Sequence, residues 1–288
     1  MSRPVALTAA ELKRHPLPKV RGGDKDRHGQ VLIIGGSREV PGSPLLAAHG
    51  AMRAGAGKLQ LAAPDEIAVP LGIAMPEAMV IGLKSARDGG FARRSVKNLT
   101  ECASSANAIV AGPGMTANEA AEQMARELCA LGKPVVLDAA MLHALPDADD
   151  EARDARIPPV LLPHSGEMAS LLDCSEGEVE ADPLGCGRRC AKRYGAIVLV
   201  KGVQSHVVVP GGAAWKYRGG WPGLGVSGSG DVLAGIVGGL LARGADPLTA
   251  LLWAVWLHGE AGARLGKKVG AVGYLARELP GEIPALLT

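Results

Sequence analysis

Gly223-Leu224-Gly225-Val226-Ser227-Gly228-Ser229-Gly230-Asp231-Val232-Leu233-Ala234-Gly235 is the stretch on which the reading of this chain turns. Glycines and serines run straight into the apolar residues Val232, Leu233, Ile236, Val237, Leu240 and Leu241, whose spacing is helical. Gly228, Ser229 and Gly230 therefore stand as bare backbone N–H groups at a helix N-terminus. Orphan donors and the positive end of the helix dipole make that an anion hole, ready for a phosphate. Asp231 lies beside it in the first turn, where the dipole favours the ionised carboxylate. Such a pair suits transfer of a phosphoryl group onto a hydroxyl that Asp231 deprotonates. A carboxylate that merely stabilises a helix start, after glycines that merely turn the chain, would read the same way. Spacing alone does not separate the two.

The rest of the composition narrows the choice. The 288 residues suffice for one large α/β domain, and 40 glycines with only 3% aromatics imply a core of Val, Leu, Ile and Ala. A net charge of +2 lacks the basic surplus of a nucleic-acid binder. The basic segment from Lys84 to Lys97 carries one aromatic, Phe91, and reads as a solvated helix face. Cys102, Cys129, Cys174, Cys186 and Cys190 form no C-x-x-C and no zinc pattern, and no metal-ligand set is expected. Met1 to Arg14 lacks a signal-like apolar core, and the runs Val232–Ala242 and Ala250–Leu257 are too short to span a bilayer. A soluble, cytoplasmic protein without membrane or nucleic-acid partners is expected.

Short apolar runs alternate with helical patterns along most of the chain. Strands are expected at Val31–Ile34, Leu59–Ala63, Ala108–Ala111, Val135–Asp138, Val160–Leu162 and Ile197–Val200. Helices are expected near Leu45–Ala54, Ala117–Leu131, Gly166–Leu172, Glu178–Tyr194, Asp231–Ala242 and Pro247–Leu265, the last opened by Asp246 as cap. His206–Pro210 and Ala213–Tyr217 flank Gly211-Gly212 as a β-hairpin. This alternation predicts a mostly parallel sheet covered by helices on both faces. No linker divides the chain: residues 1–24 read as a loosely attached arm and 25–288 as a single domain, with Asp147–Arg156 an exposed loop.

Ligands of open parallel sheets bind beyond the strands' carboxyl ends. Several expected strands end there in glycine or polar residues: Gly35-Gly36-Ser37 leading to Ser43, Gly112-Pro113-Gly114, Asp138, His164-Ser165-Gly166-Glu167, and Lys201-Gly202 with Ser205 beyond. Taken singly, each has an ordinary explanation. Asp138 reads as a helix cap, Lys201 as a solvated strand end and His258 as structural, whereas His164 fits a cleft. The chain lacks G-x-x-x-x-G-K-[ST], a strand-linked G-x-G-x-x-G and G-x-S-x-G, which excludes P-loop, Rossmann-type dinucleotide and serine-hydrolase readings.

In this order the segments resemble the ADP/ATP-dependent NAD(P)HX dehydratases, a branch of the ribokinase-like superfamily. The resemblance rests on His28-Gly29-Gln30-Val31-Leu32-Ile33-Ile34-Gly35-Gly36-Ser37, Ala51-Met52-Arg53-Ala54-Gly55-Ala56-Gly57, Ala111-Gly112-Pro113-Gly114, Leu162-Pro163-His164-Ser165-Gly166-Glu167, Val200-Lys201-Gly202, Ser227–Gly235 and Leu257-His258-Gly259. It implies that Ser43, Gly114, His164 and Asp231 contact the hydrated dinucleotide, and that Lys201, Gly202, Val203, Gln204, Ser205 and Gly230 hold the adenine nucleotide. Ser43 stands where alanine is usual, Ser165 replaces a proline, and Ser-Gly-Ser-Gly replaces Gly-Gly-Thr-Gly. Residues 1–24 are too few for the epimerase domain often fused in front of the family.

The implied reaction is nucleotide-dependent dehydration of hydrated NADH or NADPH (NADHX, NADPHX). The ring hydroxyl is phosphorylated, and phosphate is then expelled by the ring nitrogen. ADP is the expected co-substrate, with ATP the other choice. Mg²⁺ would be bound mainly through the nucleotide phosphates. Homo-oligomerisation is expected from the resemblance. The competing readings are a vitamin-precursor kinase of the same superfamily and an idle nucleotide sensor.

Overall fold

A computed structural model describes residues 3–19, 25, 27–143, 145–148 and 157–287. In chain order the elements are β1 (Val5–Ala6), α1 (Ala9–Leu12), β2 (Gln30–Ile34), α2 (Ser43–Arg53), β3 (Lys58–Pro64), α3 (Asp65–Ala74), β4 (Ala78–Leu83), α4 (Val96–Ser105), β5 (Ala108–Ala111), α5 (Glu119–Ala130), β6 (Val135–Leu137) and β7 (Val160–Leu161). They continue with α6 (Ser165–Leu172), α7 (Glu176–Ala181), α8 (Pro183–Arg193), β8 (Ile197–Val200), β9 (Ser205–Val208), β10 (Ala214–Tyr217), α9 (Ser229–Ala242), α10 (Pro247–Lys268) and α11 (Leu279–Glu282).

All the strands join one sheet in the order β1-β10-β9-β8-β7-β6-β5-β2-β3-β4, with only β9 reversed. The strands read as unbroken apolar runs because both faces are covered. Val31 and Ile33 face one core with α2, α9 and α10, while Leu32 and Ile34 face a second core with α4, α5 and α8. From β2 the chain winds outward through β3 to β4, then returns to lay β5 on the other side of β2. That reversal is a topological switch point, where doubly wound sheets open a crevice beyond the strand ends. Among the described residues, no helix is long and apolar enough to cross a membrane.

Above the switch point, α2 and α9 approach so closely that backbone touches backbone. A Cβ on Gly235 would lie 1.9 Å from the carbonyl oxygen of Ala47, and one on Gly239 would lie 2.4 Å from that of Ala51. Ala47–Gly235 and Ala51–Gly239 advance together by one helical turn, so the two helices run in the same direction and in step. One turn back, the same register sets Ser43 opposite Asp231, whose ionised carboxylate the serine hydroxyl favours.

Several expectations are corrected. Residues 3–19 are not a loose arm, because β1 pairs with β10 and Leu7 and Leu12 are buried. The helix expected over Glu178–Tyr194 breaks into α7 and α8 at Asp182-Pro183, where proline cannot continue a helix and Asp182 accepts from the Gly185 N–H at 2.8 Å. Lys84 to Ala92 forms a loop, not a helix face, closed by a Ser85–Phe91 bridge over a buried Phe91; α4 begins only at Val96. The expectations left out α3 and β4: Pro70 interrupts the first, and the second is an edge strand without polar alternation. Part of the Asp147–Arg156 stretch lies outside the described residues.

The close crossing makes Gly235→Ala destabilising even though alanine favours helices by about 1 kcal/mol. Overpacking against a backbone carbonyl should cost about 1–3 kcal/mol more than that gain. Gly177 in α7 has open space around it and serves as the control: Gly177→Ala should be neutral or stabilising. Urea denaturation of the two variants should move in opposite directions.

Candidate active site

The helix start behind Asp231 is built by Gly228, which caps α9 at φ 86°, a conformation that side chains rarely adopt. No side chain caps this end. The Ser229 N–H is taken by the carbonyl of Val226 at 3.1 Å, whereas among the described residues no acceptor meets the N–H groups of Gly228, Gly230 or Asp231. The open donors thus keep Gly228 and Gly230 of the expected set but replace Ser229 by Asp231.

Ser229 is held from behind instead. His258 Nε2 lies 3.0 Å from both its hydroxyl and its carbonyl oxygen. A carbonyl can only accept, so this nitrogen carries the proton. Burial lowers the His258 pKa to about 4, which keeps the ring neutral at pH 7. His258, read from the sequence as structural, thus has the first residue of α9 as its partner.

Opposite the α9 terminus, Lys201 at the end of β8 reaches back to Asp138 at the end of β6, Nζ to Oδ1 2.9 Å. Asp138 is 3% exposed, and its side chain caps no helix. The expectation of a cap is therefore replaced by a buried ion pair, as is that of a solvated Lys201. The next residue, Ala139, sits at φ 49°, a left-handed strain that often marks functional sites. A Cβ on Gly230 would lie 3.7 Å from Lys201 Nζ and 3.9 Å from Asp138 Oδ2, so the bare helix start faces this pair directly.

Glu167 approaches Lys201 from the other side at 3.9 Å. It belongs to a reciprocal cap of α6: His164 Nδ1 accepts from the N–H of Gly166 and of Glu167, and Glu167 Oε2 accepts from the His164 N–H at 2.8 Å. His164 Nε2 is left carrying the proton, with a side chain 59% exposed at the rim. Across the crevice Gly114 abuts Ser43, since a Cβ there would come within 2.7 Å of the serine Cβ.

Ser43, Gly114, Asp231, Gly230 and Lys201 are thereby linked contact by contact, and His164 joins through Glu167. Gly202, Val203 and Gln204 lie beyond Lys201 on the β8–β9 turn, with Val203 almost fully exposed, and Ser205 opens β9. Glu167 is a member of the site beyond the expected residues, and the H-x-x-E capping spacing from His164 is its signal in the sequence. The partnership of Asp138 with Lys201 is long-range and left no local signal.

The electrostatics reverse one expectation. The Asp231 pKa is pushed up to about 6, first by burial and then by the Asp138 carboxylate; the Ser43 hydrogen bond and the Lys201 charge only partly oppose this. Desolvation outweighs the helix dipole, which favours the ion.

This switch-point sheet, with an uncapped helix start and a carboxyl at the strand ends, has a ribokinase-like fold. Arabidopsis thaliana ribokinase, solved with ribose and ATP, has the same fold (TM-score 0.55, 12% identity, 90% of this chain and 99% of that one). More specifically, residues 31–285 match the NAD(P)H-hydrate dehydratase family model, and the chain belongs to that family. It is 46% identical over 282 residues to the ADP-dependent (S)-NAD(P)H-hydrate dehydratase of Xanthomonas campestris, covering 98% of this chain and 95% of that protein. It is 32% identical to the Escherichia coli bifunctional NAD(P)H-hydrate repair enzyme Nnr, covering 95% of this chain but 50% of that protein. The Bacillus subtilis ADP/ATP-dependent NAD(P)H-hydrate dehydratase, co-crystallised with ATP and Mg²⁺, superposes with TM-score 0.82 at 26% identity over 99% of this chain and 98% of that one.

A carboxyl whose pKa rises on folding holds its proton more tightly folded than unfolded, so folded stability falls as pH rises from about 4 to about 6. Asp231→Asn imitates the protonated form. Urea denaturation should show the variant more stable at pH 7.5 by about 1–3 kcal/mol, with the gain gone near pH 4. If Asp231 is the base, turnover of the same variant should drop by about 10²–10⁴.

Proposed function

We propose that this protein removes water from hydrated NADH and NADPH in a nucleotide-dependent reaction, with ADP the preferred phosphoryl donor. The observation that carries this reading is Asp231. It is a half-buried carboxyl with a pKa of about 6, next to open helix-start amides and facing a buried Lys201–Asp138 pair. A general base works best with a pKa near the operating pH.

In this mechanism Asp231 takes the proton from the ring hydroxyl as that oxygen attacks the terminal phosphoryl group of ADP, whose bond to the bridging oxygen breaks to release AMP. The N–H groups of Gly230 and Asp231 receive the charge that spreads over the transferring phosphoryl oxygens, and Lys201 adds a fixed positive charge beside them. Phosphate is a good leaving group where hydroxide is not: the ring nitrogen's lone pair expels it to leave an iminium, and loss of a proton from the adjacent ring carbon restores the dihydronicotinamide. Ser43, Gly114 and His164 are assigned to the dinucleotide, and Lys201 to Ser205 with Gly230 to the adenine nucleotide. The exposed Nε2–H of His164 offers a hydrogen bond at the rim.

The donor set fits Mg²⁺ carried on the nucleotide. Among the described residues no group of three His, Cys, Asp or Glu side chains could hold a metal ion, while Asp138 and Glu167 stand beside Lys201 as the carboxylates within reach. Bound there, the ion would neutralise phosphate charge during transfer.

Cys102, Cys129, Cys174, Cys186 and Cys190 form no disulfide among the described residues, which supports a reducing, cytoplasmic setting. Val69 and Ile73 on α3 and Met79 on the edge strand β4, 71%, 79% and 61% exposed, support a homo-oligomer.

The test is direct. Hydrated NADH supplied with Mg²⁺ and either ADP or ATP should regain the reduced-nicotinamide absorbance, faster with ADP. No return with either nucleotide, together with phosphorylation of a hydroxyethylthiazole or hydroxymethylpyrimidine, would make the protein a vitamin-precursor kinase.

A further inference from the structure

The carboxyl end of β4 opens into a cavity of about 390 Å³ lined by Asp65, Lys84, Arg94, Ser95 and Asn98. Its volume is in the range of small-ligand sites. It lies on the same edge of the sheet as Asp231, two strands out from β2, or about 10 Å at ordinary strand spacing.

Packed residues join the two places. A Cβ on Gly36, in the loop leaving β2, would lie 3.3 Å from Pro44 of α2 and 2.6 Å from Ile67 of α3. Pro44 follows Ser43 in the chain, and Ile67 comes two residues after Asp65. The same loop is tied to the loop after β4 by the Arg38 N–H donating to the Gly89 carbonyl at 3.0 Å. The loop that leaves β2 beside Ser43 and the loop that leaves β4 beside the cavity are thereby neighbours at one edge of the sheet.

The charges there are unevenly committed. Asp65 accepts from Lys84 Nζ at 3.1 Å, from the Ser85 N–H at 3.2 Å and from the Ser85 hydroxyl at 2.7 Å, so it is anchored and ionised. Ser95 donates its hydroxyl to the Lys84 carbonyl at 3.0 Å, which fixes the cavity wall. Arg93 pairs with Glu119, but Arg94 is exposed and makes no ion pair among the described residues. It is a free guanidinium at the mouth of a pocket whose other cation is already engaged.

An anchored carboxylate beside a free arginine is a chemistry suited to the ribose of an adenine dinucleotide. A carboxylate accepts from a 2′-hydroxyl, and a neighbouring arginine accommodates a 2′-phosphate. We propose that this cavity is the subsite for the adenosine end of the dinucleotide, with Arg94 recognising the 2′-phosphate of the NADPH form and Asp65 the ribose hydroxyl of the NADH form. The assignment rests on the dehydratase reading for the identity of its ligand.

Fluorescence titration with NADH and NADPH, the products of that reaction, tests it on the wild-type chain, Arg94→Ala and Arg94→Lys. The exposed, unpaired Arg94 should be replaceable without change in melting temperature. Arg94→Ala should weaken NADPH by about tenfold or more, the worth of a charge-assisted contact, and leave NADH unchanged. Arg94→Lys, which keeps the charge, should recover part of the loss. Retained NADPH affinity in Arg94→Ala, an equal loss for both dinucleotides, or a wild-type chain that binds neither would overturn the subsite. Turnover of the hydrates by the wild-type chain is read separately, so the subsite can fail while the reaction stands.

Discussion

The backbone contact between α2 and α9 is the constraint on which the rest depends. Helices usually keep 8–10 Å between axes because side chains stand between them. Here Gly235 and Gly239 remove those side chains, and the carbonyls of Ala47 and Ala51 fill the space. With two such contacts one turn apart, neither sliding nor rotation is free. Both N-termini are thereby fixed at the same edge of the sheet, and the Ser43 hydroxyl is delivered to the Asp231 carboxyl. Site geometry follows from core packing one and two turns away.

What the site does with that geometry is a contest of electrostatic effects. A helix start and a nearby lysine both favour an ionised Asp231, and in water they would hold its pKa low. Burial and the Asp138 carboxylate oppose them and prevail, leaving the pKa at about 6. Lys201 cannot serve both carboxylates equally, because its Nζ is committed to Asp138 at 2.9 Å. The Lys201–Asp138 pair thus leaves Asp231 without a direct cationic partner among the described residues, with a pKa of about 6. His258, neutral behind Ser229, shapes the same loop without adding charge.

Much of this was legible in the sequence where the signal is local. Ala108–Ala111 and Ile197–Val200 were read to the residue because a strand covered on both faces is an uninterrupted apolar run. The start of α9 was legible because glycines meeting a helical pattern have few other uses, and the cap at Asp246 was read from the residue just before Pro247. Long-range pairings were not legible. Nothing near Asp138 points to Lys201, and a two-residue strand such as β1 has no pattern of its own. The charge state of Asp231 was misjudged for the same reason: the dipole is written in its own helix, whereas burial is supplied by the surrounding fold.

The account's central claim is that packing holds Asp231 half-desolvated against Ser43 and so makes it a base poised near neutrality. A carbon-13 NMR titration of the Asp231 carboxyl, in the wild-type chain and in Ser43→Ala, measures this most directly. The account predicts a wild-type midpoint of about 6, and a higher one when the stabilising serine hydroxyl is removed. A wild-type midpoint near 4, the value of a solvated aspartate, would contradict it.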